Sequence, residues 1–538
     1  STYLCNGGPH DENSLFDRNL TKVFIFNFTA NALLRTEISI IITKSMMTES
    51  DEVQLSIKQI HDELPLITCN SQEEKQLEAR RVLEKLRESF KQAGNRSSFS
   101  EILCKDLVDW LSWLHRRVRE DEQNQSKQTL DIVAEIFRCL RNACAGCRQS
   151  QDIVSRTENC IQISCEVLLS IKDLLPGTQH KELYVGLLTA LKCGVQFFGN
   201  VVGGHDENQV CVWEIILSRQ SRFKDLLNTG DSALGNYTAM VIFSCLSEAR
   251  CQQLVDEAAD TVEGILELFS QHDSEWSWFI IERLLQCPGL LEQLYGKVND
   301  HRRIQLLQVV ASHIEQKAAA DDIKPSAVLP ISHKDLSFVC EEFTKNAHVI
   351  LSLSQESARC KVEPQLVTSQ LSVLCAVSGH CKLRLLLQQV DDILPTVINL
   401  LQCLYMIGQE GQNNFTSVTK VSNISDADPR HPTFGLKKDI IRLIGNLAYQ
   451  HRSNQDKIRE LGGLRLVLEH TNIDGRNPFV TQWAVLAVRN LCENNLENKS
   501  FIARLNMQGV ANNEELQQQF GITADVRNGS VIIRPEDR

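Results

Sequence analysis

Apolar residues recur along most of this chain at three- and four-residue intervals, the spacing that lays them on one face of an α-helix. In the stretch from Asp439 to Ala448 they fall at Ile440, Ile441, Leu443, Ile444 and Leu447. Ile265 to Phe269, Phe279 to Leu285 and Leu371 to Leu401 read as further amphipathic or buried helices. Two segments break the pattern. Glu410 to Phe434 carries Gln, Asn, Ser and Asp with Pro429 and Pro432, and reads as a flexible surface loop. In the tail, Ile522 to Val526 and Ser530 to Arg534 flank Asn528-Gly529, a type I′ turn signal that predicts a small β-hairpin. A lone hairpin is marginal, so it must pack on the last helices or on another copy of the chain.

The helical pattern repeats. Segments around Asn142, Asn200, Asn446 and Asn490 each end an apolar run in asparagine. Eight residues later comes Ser150, Asn208, Asn454 or Asn498; nine later, Gln151, Gln209, Gln455 or Lys499; twelve later, Val154, Val212, Ile458 or Ile502. Asn446 and Asn490 are 44 residues apart, and so are Asn200 and Ser244, the latter in a degraded fifth copy. Asn142 and Asn200 are 58 apart, which predicts an insertion of one loop near Leu175-Pro-Gly177. A period of about 40–47 residues belongs to armadillo and HEAT arrays.

The last full unit shows how such a repeat is built. Asn454 is positioned to cap a short helix running to Leu461. Gly462-Gly463 then breaks the chain so that Leu464 to His470 crosses steeply. Asn472 to Pro478 is a loop, and Pro478 stands near the start of the next long helix. Three helices with a Gly-Gly break after the first is the armadillo unit. The fold class is therefore all-α, an armadillo/HEAT-like α-solenoid with a small C-terminal hairpin tail.

Composition agrees: among 538 residues there are only 26 glycines and 12 prolines, and aromatics are 6%. The net charge of −12 argues against nucleic acid as a main partner. The best basic patch, His115-Arg116-Arg117 with Arg119, runs straight into Glu120-Asp121-Glu122 and reads as a solvated helix face. Nineteen cysteines in apolar helical runs predict buried, reduced thiols in a cytoplasmic protein. No secretory leader is readable, and Val23 to Leu34 is too short to span a bilayer.

The runs FGLKKDIIRLIGNLAYQHRSNQDKIRELGGL and NPFVTQWAVLAVRNLCENN, with LRNACAGC around Asn142 and the Gly199-Asn200 segment, resemble the ataxin-10 family. The resemblance extends over about residues 75–538. It divides the chain into a poorly matched segment 1–75, armadillo-like repeats 76–408 that degenerate in the middle, a loop 409–433, C-terminal repeats 434–510 and a tail 511–538. It implies a perinuclear protein also found at centrosome, basal body and midbody, with roles in cytokinesis, neuronal survival and neurite outgrowth. It further implies self-assembly through the C-terminal domain, and as partners the O-linked N-acetylglucosamine transferase and a G-protein β subunit.

The candidate protein-binding groove is the row Asn142, Asn200, Asn446 and Asn490. In armadillo proteins that bind extended peptides, such a third-helix amide bonds the peptide backbone, because it offers both donor and acceptor. The competing reading is that each amide satisfies a neighbouring backbone group. Importin-α-type receptors place Trp four residues earlier; here those positions are Arg138, Gln196, Arg442 and Leu486, so an import-type receptor ranks below a scaffold. An armadillo-type G-protein regulator is the other alternative. Trp276-Ser-Trp278-Phe279 and Trp110 with Trp113 are interface or packing residues, and Trp483 reads as core. Cys144-Ala-Gly-Cys147 follows a helix rather than starting one and has no second ligand pair, so neither redox nor zinc chemistry is expected. No phosphate loop, nucleophile elbow or metalloprotease motif is present, and neither catalysis nor a cofactor is expected.

Overall fold

The structure, a computed structural model, describes residues 73–120, 127–218, 223–272, 274–323, 328–355, 361–418, 428–505, 522–527 and 530–535. Residues 1–72, the centre of the 409–433 loop and the Asn528-Gly529 turn lie outside the described residues.

The described chain is a succession of helices. They are α1 (Glu73–Lys91), α2 (Glu101–Glu120), α3 (Lys127–Cys144), α4 (Arg148–Arg156), α5 (Cys160–Leu174), α6 (Lys181–Val202), α7 (Asp206–Leu217) and α8 (Ser232–Cys245). Next come α9 (Glu248–Glu257), α10 (Ala259–His272), α11 (Glu275–Leu285), α12 (Leu290–Lys297), α13 (Asp300–Ile323), α14 (His333–Asn346) and α15 (Val362–Gly379). The last group is α16 (Cys381–Leu387), α17 (Ile393–Gln409), α18 (Leu436–Ala448), α19 (Arg452–Glu460), α20 (Gly463–Glu469), α21 (Val480–Cys492) and α22 (Leu496–Ala503). The tail forms the expected hairpin, β1 (Ile522–Arg527) antiparallel to β2 (Ser530–Pro535), with Arg527 opposite Ser530.

The long third helices stack side by side. α1 packs on α3, α3 on α6, α6 on α8 and α8 on α11; further along, α13 packs on α15, α15 on α18 and α18 on α21. Trp278 of α11 against His313 of α13 joins the two runs, with ring centroids 5.3 Å apart. The layer is an α-solenoid in which each unit buries its apolar stripe against its neighbours. A chain of rings marks its interior: Phe137, Phe197, Phe198 and Phe223 follow one another at centroid spacings of 6.2, 5.7 and 6.0 Å. Each is buried, which stabilises the fold by about 1.5–3 kcal/mol per side chain.

Among the described residues, α6 is the helix long and apolar enough to cross a membrane, and 67% of that apolar stretch is buried inside the structure. At the N-terminal side, Glu135 of α3 is buried and ties α1 to α3, accepting from Arg87 at 2.9 Å and from Arg138.

The three-helix unit predicted at the C-terminus is present as α19, α20 and α21. Gly462 takes a left-handed φ of 78°, so the chain turns sharply between α19 and α20. Two expectations need correcting. The cap of α19 is His451, whose ring accepts from the Asn454 N–H; Asn454 itself lies inside the helix. The extra residues between Asn142 and Asn200 are not a loop at Leu175-Gly177. They lengthen the helices: α5 has 15 residues where α20 has 7, and α6 has 22 where α21 has 13. Helical periodicity is the same in a long helix as in a short one, so spacing alone placed the insertion wrongly.

Candidate functional site

The four recurring asparagines all fall on the third-helix layer, and each bonds to the helix before it. Asn142 donates its amide to the Arg87 carbonyl of α1 at 3.2 Å. Asn200 donates to the Arg141 carbonyl of α3 at 2.8 Å. Asn446 reaches Ser378 Oγ of α15 at 3.0 Å, and Asn490 the Gly445 carbonyl of α18 at 3.0 Å. Asn142 and Asn490 are buried, while Asn200 and Asn446 are half-buried. The row is two pairs, Asn142 with Asn200 and Asn446 with Asn490, separated in the stack by α8, α11, α13 and α15. In the degraded copy, Ser244 turns back to the Met240 carbonyl of its own helix at 2.8 Å.

The residues eight and nine positions later form a second set of bonds. Asn208 donates to the Gln151 carbonyl of the preceding unit at 3.1 Å and to the Val201 carbonyl at 3.2 Å. Asn498 does the same to Gln455 and Leu491, at 3.3 and 2.7 Å, and Asn454 to Gln388 and Leu447, at 3.4 and 3.1 Å. The glutamines reach forward. Gln151 donates to the Asn200 and Gly203 carbonyls, and Gln455 to those of Asn490 and Glu493. A primary amide has two N–H groups and can cap two carbonyls left open where a helix ends. The repeat signature therefore spells out the joints between units.

A residue not singled out in the sequence completes three of the four joints; the fourth, at Cys147, has no side-chain cap bond. Five positions after the asparagine, His205, His451 or Asn495 caps the next helix through a side-chain acceptor. The Nδ1 of His205 accepts from Asn208 N–H, so its proton sits on Nε2 and is donated to Asp152 of the previous unit at 2.9 Å. That bond from His205 holds the Asp152 carboxyl below its ordinary value.

Three of the four positions four before an asparagine are also engaged. Arg138 pairs with Glu135, Gln196 accepts from Arg141 at 2.5 Å, and Arg442 lies over the Trp483 ring at 5.3 Å. Trp483 is half-buried beneath that guanidinium rather than enclosed in the core. The aromatic run at α11 divides. Trp278 turns onto Phe269 and His313, whereas Trp276 and Phe279 join Phe243 of α8 in a partly buried cluster with centroids 5.5–5.8 Å apart. Phe243 carried no signal in the sequence, because it lies inside a continuous apolar run. Cys144 of the CxxC is enclosed, with burial pushing its thiol well above the usual value, and Cys147 is the cap residue of α4. Among the described residues no group of three or more metal-binding side chains occurs.

Residues 436–534 match the Spinocerebellar ataxia type 10 protein domain. Ataxin-10 of Xenopus tropicalis is 32% identical over 406 residues, covering 75% of this chain and 80% of the relative. Human ataxin-10 is 30% identical over 467 residues, covering 85% of this chain and 94% of the relative. The chain belongs to the ataxin-10 family. An ataxin-10 homolog of Dictyostelium discoideum is 47% identical over a shorter 103 residues, 19% of this chain and 16% of the relative.

In this ataxin-10 family chain the matched domain opens at Leu436, the first residue of α18, and includes both Asn446 and Asn490. Its start is fastened by a buried polar knot. Lys437 Nζ donates to the Phe415 carbonyl at 2.6 Å and to Ser417 Oγ at 3.2 Å, and lies 3.5 Å from Asp474. Asp474 in turn accepts from the Val418 and Arg476 main-chain N–H groups and from Asn477. Burial pushes the Lys437 ammonium below the ordinary lysine value. The described N-terminal end of the 409–433 segment is thus held against the domain, with Phe415 buried.

Proposed function

We propose that the chain is a non-enzymatic scaffold or adaptor that binds other proteins across its third-helix layer, with Phe243, Trp276 and Phe279 as an anchor. The observation that carries this reading is the aromatic cluster itself. It joins two adjacent third helices and stays only partly buried in a layer whose recurring amides are engaged in joining units. Aromatic side chains on a rigid platform bury large area at small entropic cost, and they dominate binding energy at interfaces.

The asparagine groove is a second reading, favoured by the half-exposure of Asn200 and Asn446. An extended peptide would bond those two amides in place of, or alongside, their present acceptors. Self-association through residues 434–538 is part of the proposal. It is supported by Phe479, Val485 and Leu496, exposed by 69%, 58% and 75% on the last described unit, where no further repeat follows α22 in the described stack. The roles in cytokinesis, neuronal survival and neurite outgrowth, the cytoplasmic, perinuclear, centrosomal, basal-body and midbody locations, and the partners O-linked N-acetylglucosamine transferase and a G-protein β subunit belong to this proposal through family membership.

The test is affinity purification from lysate with three baits: the native chain, Phe243→Ser with Trp276→Ser, and Asn200→Ala with Asn446→Ala. Folding of each is checked by circular dichroism. Loss of a defined partner set with the folded aromatic variant supports the anchor, and loss with the folded asparagine variant alone moves the site to the groove. Identical recoveries from all three overturn both.

A further inference from the structure

Two buried thiols from different helices meet near the N-terminal end of the solenoid. Cys104 lies in the first turn of α2 and Cys160 is the first residue of α5; their Sγ atoms are 4.0 Å apart although 56 residues separate them in sequence. Neither is in a disulfide. Both stand at helix N-termini, where the backbone N–H groups and the helix dipole favour a thiolate. An open groove of about 550 Å³ reaches the Cys160 side of the pair, lined by Thr157 and Cys160 and, further along, by Cys165 and Cys211, while Cys104 is fully buried and outside its lining.

We propose that Cys104 and Cys160 form a reversible disulfide site, oxidised by a peroxide that enters along this groove and reduced again by a thiol such as glutathione. The two sulfurs must close from 4.0 Å to about 2.05 Å, a shift that side-chain rotation and a small approach of α2 and α5 would have to supply. The pair is chemically unequal. Either sulfur can donate in the bond between them; with Cys160 donating, the bond holds the Cys104 thiol below the usual cysteine value and, together with burial, pushes that of Cys160 well above it. In that arrangement Cys104 is the attacking sulfur.

In the first step the Cys104 thiolate attacks one peroxide oxygen. The S–O bond forms, the O–O bond breaks, and hydroxide leaves to be protonated to water. In the second step Cys160 sulfur attacks the sulfenic acid sulfur. The S–S bond forms, the S–O bond breaks, and the hydroxyl leaves as water with the Cys160 proton. Two thiols and one hydrogen peroxide give one disulfide and two waters. Two glutathione thiols reverse the change, leaving as glutathione disulfide.

The bond would lock α2 to α5, the first pair of helices outside the third-helix layer, and so would stiffen the N-terminal units. A second pair, Cys251 with Cys287, also shares a sulfur hydrogen bond, but burial raises both of its thiols. Cys139 donates to the Leu83 carbonyl, Cys375 to that of Asp439, and Cys144 is enclosed.

The experiment is a titration of the reduced, folded full-length chain with hydrogen peroxide. Free thiols are then alkylated in denaturant and the peptides mapped by mass spectrometry without reduction. The expected result is a Cys104–Cys160 linked peptide, two hydrogens lighter than the reduced pair, which appears before exposed Cys381 is consumed and disappears on adding dithiothreitol. It persists in Cys144→Ser and is lost in Cys160→Ser. Consumption of Cys381 while Cys104 and Cys160 both remain alkylatable overturns the proposal. So does a linked peptide that forms only in chain unfolded before oxidation, or a dominant Cys104–Cys144 link. Wild type and Cys144→Ser decide the matter even if Cys160→Ser does not fold.

Discussion

Asn490 donates its amide to the carbonyl of Gly445 at 3.0 Å, and Gly445 is also the residue whose bare Cα lets α21 lie against α18. A Cβ added at Gly445 would stand 2.8 Å from Ala487 Cβ and 2.9 Å from its Cα. Bond and close approach are two sides of one joint, because the amide reaches a carbonyl only where the helices are near.

Replacing Gly445 by valine should therefore destabilise the C-terminal domain by about 1–3 kcal/mol, through overpacking against α21. Denaturant unfolding measures it. Ala487→Gly should recover part of the loss when combined with Gly445→Ala, and strict additivity of those two changes would show that the helices do not touch there.

The two amide rows should differ in what they contribute. Asn208 is fully buried and bonds two carbonyls, one of them that of Val201 at the end of α6, so Asn208→Ala should cost about 2–3 kcal/mol. Asn200 makes one such bond at a half-exposed position, and Asn200→Ala should cost about 0.5–1.5 kcal/mol. Equal losses in urea titrations would mean that the second row is not the stronger joint.

Lys437→Met should loosen the segment between α17 and α18. It removes the donor to the Phe415 carbonyl and leaves the Asp474 carboxylate buried without its cation, a loss of about 3 kcal/mol. Limited proteolysis should then cut that segment faster than in wild type while α19 to α21 stay resistant. An unchanged cleavage pattern would remove the knot from the account.

Acid should weaken the joint at α19. Burial works to raise the Asp456 carboxyl, but bonds from Arg452, Asn495 and Arg459 overcome it and hold the value at about 2, against 3.8 for the free group. The folded value lies below the unfolded one, so this contribution is present above about pH 4 and is lost as pH falls towards about 2. Asp456→Asn should flatten the fall in stability across that window. An acid limb identical to wild type would show that the carboxylate adds nothing there.

The repeat signature was legible because it is local. An apolar run, an asparagine and a pair of polar residues at fixed offsets all lie within one unit, and their spacing survives wherever the unit does. What those residues do was not legible. Asn454 looked like a cap, and only the structure showed His451 in that place and Asn454 reaching to Gln388. Helix length was equally hidden between Asn142 and Asn200, since a longer stripe has the same period as a short one.

The sequence by itself determined the all-helical class, the armadillo-like unit and the tail hairpin, because helical period, Gly-Gly breaks and an Asn-Gly turn act through neighbouring residues. Tertiary structure alone decided which carbonyl each amide meets. It decided that Phe243 joins Trp276 and Phe279, that Arg442 covers Trp483, and that Cys104 faces Cys160. Those partners lie tens of residues apart, and stacking one unit on the next sets their distances in a way that no local spacing encodes.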